Sequence, residues 1–205
     1  VYKRQPEGYA RNPELVINFY NERRKQLLDV VPNAGHLGVA DLERDFNVTV
    51  VTQNVDNLHE RAGSTHVIHL HGELTKVCSS RDPYNPHFVK ELAPEEYEVK
   101  LGDKAGDGTQ LRPFIVWFGE SVPEIETAIR YVEQADIFVI IGTSLNVYPA
   151  AGLLNYVPRA AEVYLIDPKP VDTHVMRPIH VIQKGASEGV KELKALLAAT
   201  QPPLP

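Results

Sequence analysis

The most apolar run of the chain is Ile137–Ile141, and small polar residues follow it directly. A run of this kind predicts a strand that is buried on both faces, as in the middle of a parallel sheet. Stretches that predict helices separate it from further apolar and β-branched runs, at positions 48–52, 67–70, 113–120, 162–166 and 180–183. This alternation predicts the α/β class, with a mainly parallel sheet and helices on both faces.

Polar groups stand where several of these predicted strands end. In an open sheet of this class, ligands bind beyond the carboxyl ends of the strands. A glycine there lets a phosphate approach the backbone, hydroxyls can donate to it, and a carboxylate can bind a ribose hydroxyl. Each group alone is more typical of a turn or a helix cap, but together they predict a nucleotide site in a Rossmann-like fold. The groups are Gln53-Asn54-Val55-Asp56, His71, Gly142-Thr143-Ser144 and Asp167.

His71 is a candidate general base, because the reference pKa of histidine lies near neutral pH. It can equally be a structural histidine, and His59, His66 and His69 lie close to it in the sequence. A serine hydrolase fits poorly, since the chain has no Gly-x-Ser-x-Gly elbow. A metal hydrolase is not supported either, because no His-Glu-x-x-His spacing is present.

The segment 6–45 is predicted to be mainly helical. Asn12 can cap a helix and Pro13 suits its first position. Tyr20 and Arg23 are three residues apart, so their side chains share one face of this helix. On spacing alone, the pair is typical of a tyrosine ring packed under an arginine on the surface. An apolar stripe is predicted from Leu15, Val16, Phe19, Leu27 and Leu28.

The segment 73–110 differs from the rest of the chain. It is rich in proline, glycine and acidic residues, and no helix or strand period persists through it. We expect a small, loop-rich module here, with a short helix near residues 88–92.

Composition narrows the class of protein further. The chain has 205 residues and a net charge of −6, so no basic field attracts nucleic acid. Its apolar runs are far shorter than the roughly 18 residues that span a bilayer. A single cysteine excludes an internal disulfide and suits a reducing cytoplasm. We therefore expect a cytoplasmic enzyme without a nucleic-acid or membrane partner.

The polar strand ends occur in an order and spacing that resemble the sirtuins, the NAD-dependent protein lysine deacylases. The resemblance extends from about Pro6 to Leu197 and implies a single catalytic domain over residues 6–205. In it, residues 6–45 would line the acyl pocket, and residues 73–112 would form a reduced module in place of the family's zinc module. The motifs are Thr52-Gln53-Asn54-Val55-Asp56, His71-Gly72, Phe118-Gly119-Glu120 and Gly142-Thr143-Ser144.

The resemblance implies a role for each motif in binding NAD and an acylated lysine of a protein. His71 would accept a proton from a ribose hydroxyl, and the products would be lysine, nicotinamide and O-acyl-ADP-ribose. The other residues that would bind NAD are Gln53, Asn54, Val55, Asp56, Gly142, Thr143, Ser144, Asp167, Pro168, Lys169 and Ala186. The residues that would flank the peptide backbone are Val116, Phe118, Gly119, Glu120, Val147 and Tyr148.

The helix that carries Tyr20 and Arg23 resembles the sirtuin branch that removes negatively charged acyl groups. The resemblance implies that this pair binds the acyl carboxylate, which reverses the surface-packing interpretation. A guanidinium can engage a succinyl or malonyl carboxylate through two hydrogen bonds, and a phenol can add another.

The sequence departs from the family pattern in the zinc module and at its beginning. Most sirtuins bind a structural zinc ion through four cysteines, whereas this chain has only Cys78, with Asp82 and His87 nearby. We therefore expect no zinc. The family's first strand and Gly-Ala-Gly phosphate loop have no counterpart, and residues 1–5 do not match that segment. The sequence suggests an N-terminally incomplete copy, which as given would be poorly stable and inactive.

Other functions remain open at this stage. The same NAD site could serve mono-ADP-ribosyl transfer, which only product analysis separates from deacylation. A chain without the glycine loop could also be a binding module for NAD or acylated peptides that does not turn over.

Overall fold

The structure is a computed structural model that describes residues 2–143, 150–170 and 177–200. The chain divides into two compact units. The first unit comprises Val1–Val31, Thr52–Asn57 and His69–Glu124, and the second comprises Pro32–Val51, Leu58–Ile68 and Ile125–Pro205.

The segment 6–45 is mainly helical, as predicted, and further α-helices lie between or after the strands. The α-helices are α1 (Pro6–Arg11), α2 (Pro13–Leu28), α3 (Ala34–Asp41), α4 (Leu58–Ala62), α5 (Ile125–Val132) and α6 (Ala186–Thr200). Asn12 caps α2 as predicted, since its side chain accepts a hydrogen bond from the Leu15 amide. Short 3₁₀ turns lie at Tyr2–Arg4, Leu42–Arg44, Pro86–Phe88, Pro94–Glu96 and Ala150–Tyr156. Among the described helices, none combines the length and the apolarity that crossing a membrane requires.

The strands are β1 (Val50–Thr52), β2 (Val67–His69), β3 (Gly72–Ser79), β4 (Lys90–Glu91), β5 (Leu111–Ile115), β6 (Ile137–Ile141), β7 (Glu162–Ile166) and β8 (His180–Ile182). Several strands are shorter than the apolar runs that predicted them, whereas β6 and β7 keep the predicted bounds. β1 pairs with β2, β3 lies between β4 and β5, and β7 lies between β6 and β8.

The second unit contains the predicted parallel sheet. β6 and β8 both pair with β7 in parallel. The core of this unit consists of Val39, Leu42, Tyr164, Ile166, Ile182, Val190, Leu193 and Leu197, which come from α3, the turn after it, the sheet and α6. A Cβ atom at Gly189 would lie 2.2 Å from Cγ2 of Ile166, so α6 approaches β7 too closely for any side chain. The α/β prediction is confirmed.

The first unit contains an antiparallel sheet that the sequence did not predict. β3 pairs with β4 and β5 in antiparallel orientation, although the segment 73–110 was expected to be loop-rich. The register shifts between Gly72 and Val77, which interrupts the alternation of buried and exposed side chains that would mark a strand. The short helix expected at residues 88–92 is also wrong, because that segment contains β4.

The buried face of α2 differs from the predicted stripe. Leu15 and Leu28 are exposed. Polar residues take part in the buried face instead, so apolar periodicity alone misplaced it. The buried residues of this helix are Val16, Ile17, Tyr20, Asn21, Arg24 and Leu27.

Candidate active site

His71 and Gln53 lie together in the first unit, at the ends of two neighbouring predicted strands. Nδ1 of His71 lies 3.2 Å from the carbonyl oxygen of Gln53. A carbonyl only accepts hydrogen bonds, so Nδ1 carries the hydrogen and Nε2 of the neutral ring presents its lone pair. Burial lowers the pKa of His71, and the hydrogen bond to Gln53 opposes this effect. The ring is therefore neutral near pH 7, with Nε2 able to accept a proton.

The loop that carries Gln53 is fixed by its own hydrogen bonds. The amide of Asn54 donates to Oγ1 of Thr52 over 3.0 Å. The amide of Leu74 donates to the carbonyl of Val55 over 2.7 Å. These bonds set the backbone position of the loop without using the Gln53 side chain.

The other histidines that the sequence left as alternatives are engaged elsewhere. Nδ1 of His69 lies 3.1 Å from the carbonyl of Asn54, and this histidine is buried. In the second unit, His66 shares a hydrogen bond of 2.9 Å with the hydroxyl of Thr49. His59 packs its ring edge-on against His36. These contacts favour structural roles for all three candidates.

Buried polar atoms beside this loop have no partner among the residues that the structure describes. They are Nε2 of Gln53, a donor, and Oδ1 of Asn57, an acceptor. A buried polar group without a hydrogen bond costs about 1 to 3 kcal/mol, so the pair suits a ligand that offers both an acceptor and a donor. The amide and ribose groups of NAD provide these, so the loop fits that cofactor. Asn57 was not among the predicted site residues, since only burial reveals it.

The turn after β5 is joined to His71 by a backbone hydrogen bond. The amide of Val116 donates to the carbonyl of His71 over 2.9 Å. Gly119 has a φ of 90°, which favours glycine, and Phe118 is 60% exposed. The carboxylate of Glu120 is bound by the side chain of Arg112, at 2.8 and 3.1 Å, and by the Trp117 amide at 2.8 Å. Glu120 therefore holds the turn. The amide of Phe118 donates to the carbonyl of Arg4 over 3.0 Å, while the Phe118 side chain and Gly119 are exposed.

Tyr20 and Arg23 have different environments on α2. Tyr20 is 4% exposed, and its hydroxyl accepts a hydrogen bond of 3.0 Å from Nε1 of Trp117. Arg23 is exposed, with its guanidinium carbon 5.3 Å from the centre of the Phe19 ring. Its Nη1 donates to Oε1 of Gln26 over 3.3 Å.

The second unit carries the remaining predicted NAD contacts. Gly142 ends β6 with a φ of 61°, and no described atom lies within 4 Å of the Cβ position that a side chain would occupy. Oδ1 of Asp167 accepts from the amide of Lys169 over 2.8 Å, in a turn that includes Pro168. Ala186 begins α6, and Thr143 has contacts of its own. Ser144, Val147 and Tyr148 lie outside the described residues.

The single cysteine of the chain is part of the sheet in the first unit. Cys78 is fully buried in β3, and its Sγ donates to the carbonyl of Pro113 at 3.7 Å. Burial raises the pKa of this thiol to about 12, which opposes the thiolate form that binds metal.

The parallel sheet with polar groups at its carboxyl edge is typical of a Rossmann-like α/β protein. The loop that carries Gln53 adds a neutral histidine, His71, to these groups. A model of the Sir2 family matches residues 3–149. The chain belongs to the Sir2 family. It is 83% identical over 192 residues to an NAD-dependent protein deacylase of Bacteroides thetaiotaomicron, a match that covers 94% of this chain and 82% of that protein.

Solved structures of the same family superpose on nearly the whole chain. The crystal structure of a Sir2 homologue in complex with NAD has a TM-score of 0.82 and 36% identity, and the match covers 97% of this chain and 78% of that one. A Sir2 complex with the inhibitor EX-527, 2'-O-acetyl-ADP-ribose and a deacetylated p53 peptide has a TM-score of 0.77 and 27% identity. That match covers 97% of this chain and 86% of the other.

Proposed function

We propose that the protein is an NAD-dependent protein lysine deacylase that prefers succinyl or malonyl groups over acetyl. The observation that carries the proposal is the hydrogen bond from Nδ1 of His71 to Gln53, which leaves Nε2 as a base. The similarity of the chain to the Bacteroides deacylase and to a Sir2 homologue in complex with NAD supports NAD-dependent deacylation.

When bound, NAD supplies an electrophilic ribose carbon and the nicotinamide leaving group. The chain would bind and orient it through the side chains of Gln53 and Asn57, whose buried polar atoms lack partners among the described residues. Nε2 of His71 would accept the proton of a ribose hydroxyl, because its lowered pKa keeps the ring neutral. Gly142, Thr143 and Ser144 would hold the phosphates, and Asp167, Pro168, Lys169 and Ala186 the adenosine. The products are the free lysine, nicotinamide and O-acyl-ADP-ribose.

The acylated peptide would bind beside the turn after β5. Phe118 is exposed there and Gly119 carries no side chain, so a peptide backbone can approach. Val116 connects this turn to His71 through its amide. Val147 and Tyr148 remain predicted contacts of the peptide. A Sir2 structure that contains a p53 peptide supports this class of substrate.

The preference for acidic acyl groups rests on the contrast between Arg23 and Arg24. Arg24 is 3% exposed, and the backbone carbonyls of Tyr97 and Leu74 accept its hydrogen bonds. Arg23 is exposed, and among the described residues it makes one hydrogen bond, a long one of 3.3 Å to Gln26. The guanidinium of Arg23 is therefore available to bind a carboxylate through two hydrogen bonds.

A mass-spectrometric assay of acetyl, malonyl and succinyl peptides of one sequence, with and without NAD, tests this function. We expect NAD-dependent release of each acyl group as O-acyl-ADP-ribose, with the highest kcat/KM for succinyl or malonyl. His71→Ala should abolish turnover while the thermal unfolding curve keeps its shape. Transfer of ADP-ribose to protein without deacylation would contradict the proposal.

Arg23→Met tests the acyl preference separately. We expect kcat/KM for the succinyl peptide to fall by about tenfold or more, because a hydrogen bond to a charged group contributes about 1.5 to 3 kcal/mol. Deacetylation should fall much less. Lys25→Met is the matched control, since it removes one positive charge from an exposed position of the same helix. Equal losses of kcat/KM for the succinyl and acetyl peptides in Arg23→Met would contradict the assignment of Arg23 to the acyl carboxylate.

A further inference from the structure

The hydrogen bond between Trp117 and Tyr20 has a fixed direction. Nε1 of Trp117 lies 3.0 Å from the hydroxyl oxygen of Tyr20, and both side chains are buried. An indole N–H can only donate, so the tyrosine oxygen must accept. Its own hydrogen therefore points elsewhere, and the described part of the chain provides no acceptor for it.

The phenol also keeps its hydrogen. Burial raises the pKa of Tyr20, and the hydrogen bond from Trp117 opposes this effect without reversing it. At neutral pH the group is thus a neutral hydroxyl whose acceptor side is occupied by Trp117. What remains is a donor without a partner among the described residues.

The indole ring of Trp117 is held on several sides. The guanidinium carbon of Arg112 lies 3.6 Å from the ring centroid, and the Tyr9 ring packs at 5.3 Å between centroids. The backbone amide of Trp117 donates to Oε2 of Glu120 over 2.8 Å. Arg112 binds the same carboxylate through two hydrogen bonds and is itself 5% exposed. Rotation of the indole would break its stacking with the Arg112 guanidinium and its packing against the Tyr9 ring.

We propose that Trp117 is a positioning residue for acyl selectivity: its N–H fixes Tyr20 as a hydrogen-bond donor toward the acyl group. An ionised carboxylate only accepts hydrogen bonds, so a tyrosine fixed as a donor favours an acidic acyl group. An acetyl group ends in a methyl and gains nothing from the donor. The inference rests on the proposed function, because it requires that Tyr20 contact the acyl group.

Arg112 and Glu120 act one step further from the substrate. They fix the indole plane and close the turn that carries Phe118 and Gly119. Arg112 thus contacts both the turn, through Glu120, and the indole whose N–H donates to the Tyr20 hydroxyl. The sequence predicted that Glu120 contacts the peptide and gave Trp117 and Arg112 no part in acyl selectivity.

The test compares kcat and KM for succinyl and acetyl peptides of one sequence in Tyr20→Phe, Trp117→Phe and the double variant. Tyr20→Phe should lower the succinyl-to-acetyl ratio of kcat/KM about tenfold, the value of one hydrogen bond to a charged group. Trp117→Phe keeps an aromatic ring under Arg112 but removes the N–H. It should lower the ratio about threefold or more, mainly through the KM of the succinyl peptide, because the Tyr20 hydroxyl can then rotate.

The double variant separates positioning from packing. If Trp117 acts through the Tyr20 hydroxyl, Trp117→Phe should not change the ratio further in a Tyr20→Phe background. A multiplied effect in the double variant, or an equal loss for both acyl groups in Trp117→Phe, would overturn the inference. Tyr9→Phe is the matched control, since it changes the other ring against Trp117 by one hydroxyl, which bonds to Ser80. Its ratio should equal that of the unmodified protein.

A second replacement covers the case in which Trp117→Phe does not fold. Benzothienylalanine at position 117 keeps the shape of the indole and replaces only its N–H by sulfur. It should lower the ratio as Trp117→Phe does, and an unchanged ratio would overturn the inference. If neither Arg23→Met nor Tyr20→Phe changes the succinyl-to-acetyl ratio of kcat/KM, the proposed acyl preference itself is wrong. If both change it and the position-117 variants do not, only the inference about Trp117 is wrong.

Discussion

The two units stabilise their helices against their sheets by different means. In the second unit, α3 and α6 contribute aliphatic side chains to the core around β7 and β8, and glycine allows a close approach. In the first unit, α2 packs Ile17 against Val77 and Val99, and it adds buried hydrogen bonds from Asn21 and Arg24 to the backbone of the same region. Buried hydrogen bonds are sensitive to the loss of a donor or an acceptor, whereas packed apolar cores are sensitive to a change of side-chain shape.

Asn21 shows how specific the polar connection of the first unit is. Its amide nitrogen donates to the carbonyl of Val99 over 2.8 Å, and its oxygen accepts from the Val99 amide over 3.0 Å. The side chain thus pairs with one backbone residue as a neighbouring strand would. Arg24 donates to the same oxygen over 2.6 Å.

Arg24→Met should have the largest effect on stability. The buried guanidinium donates to the carbonyls of Tyr97 and Leu74, and burial lowers its pKa to about 10. Methionine fills a similar volume but leaves these carbonyls buried without donors, at about 1 to 3 kcal/mol each. We expect the free energy of unfolding, measured in urea, to fall by about 3 kcal/mol.

Arg23→Met is the control for this variant, because the same change at the exposed neighbouring position should alter the free energy of unfolding by less than about 0.5 kcal/mol. Hydrogen exchange locates the effect: amides of residues 97–99 should lose protection in Arg24→Met and keep it in Arg23→Met. Equal stabilities of the two variants would show that the first unit does not depend on its polar connections.

Gly189→Ala tests the second unit and should have the next largest effect. The new methyl carbon would lie 2.2 Å from Cγ2 of Ile166, so α6 must move away from β7. Overpacking of this kind costs about 1 to 3 kcal/mol. The matched control is Gly185→Ala, since no atom lies within 4 Å of its Cβ position among the described residues. A stability loss in Gly185→Ala as large as in Gly189→Ala would contradict the packing explanation.

The same difference between the units explains what the sequence could predict. β6 and β7 were predicted with their observed bounds, because a continuous apolar run marks a buried parallel strand without reference to other parts of the chain. The cap at Asn12 was also predicted, and its side chain accepts from the Leu15 amide. Local signals of this kind need only neighbouring residues.

The first unit gives weaker local signals. Asn21 and Arg24 look like surface residues in the sequence, and only their distant backbone partners show why they are buried. β3 was missed because the register shift hides its period. The pairing of His71 with Gln53 was anticipated from the ends of their strands, whereas Trp117 and Asn57 became candidates only through three-dimensional contacts.

Lowering the pH should weaken the first unit through Asp107, with the smallest effect. Its carboxylate accepts hydrogen bonds from the hydroxyls of Ser79 and Thr109, at 2.6 and 2.7 Å. These bonds lower its pKa to about 2, below the usual value of 3.8. Because the pKa is depressed in the folded protein, the stabilisation is complete above pH 4 and is lost as the pH falls toward 2.

Asp107→Asn isolates this contribution, since asparagine has nearly the same shape and does not titrate. We expect the melting temperature of the unmodified protein to exceed that of Asp107→Asn by a constant amount above pH 4, and the difference to shrink between pH 4 and pH 2. A difference that stays constant down to pH 2 would contradict the role of the ionised carboxylate. Asp103→Asn is the control in the same module, because its carboxylate accepts only an exposed hydrogen bond from the Lys100 amide among the described contacts. If the pH-dependent difference from the unmodified protein appears in Asp107→Asn and not in Asp103→Asn, the acid sensitivity is assigned to the bond between Asp107 and the buried Ser79.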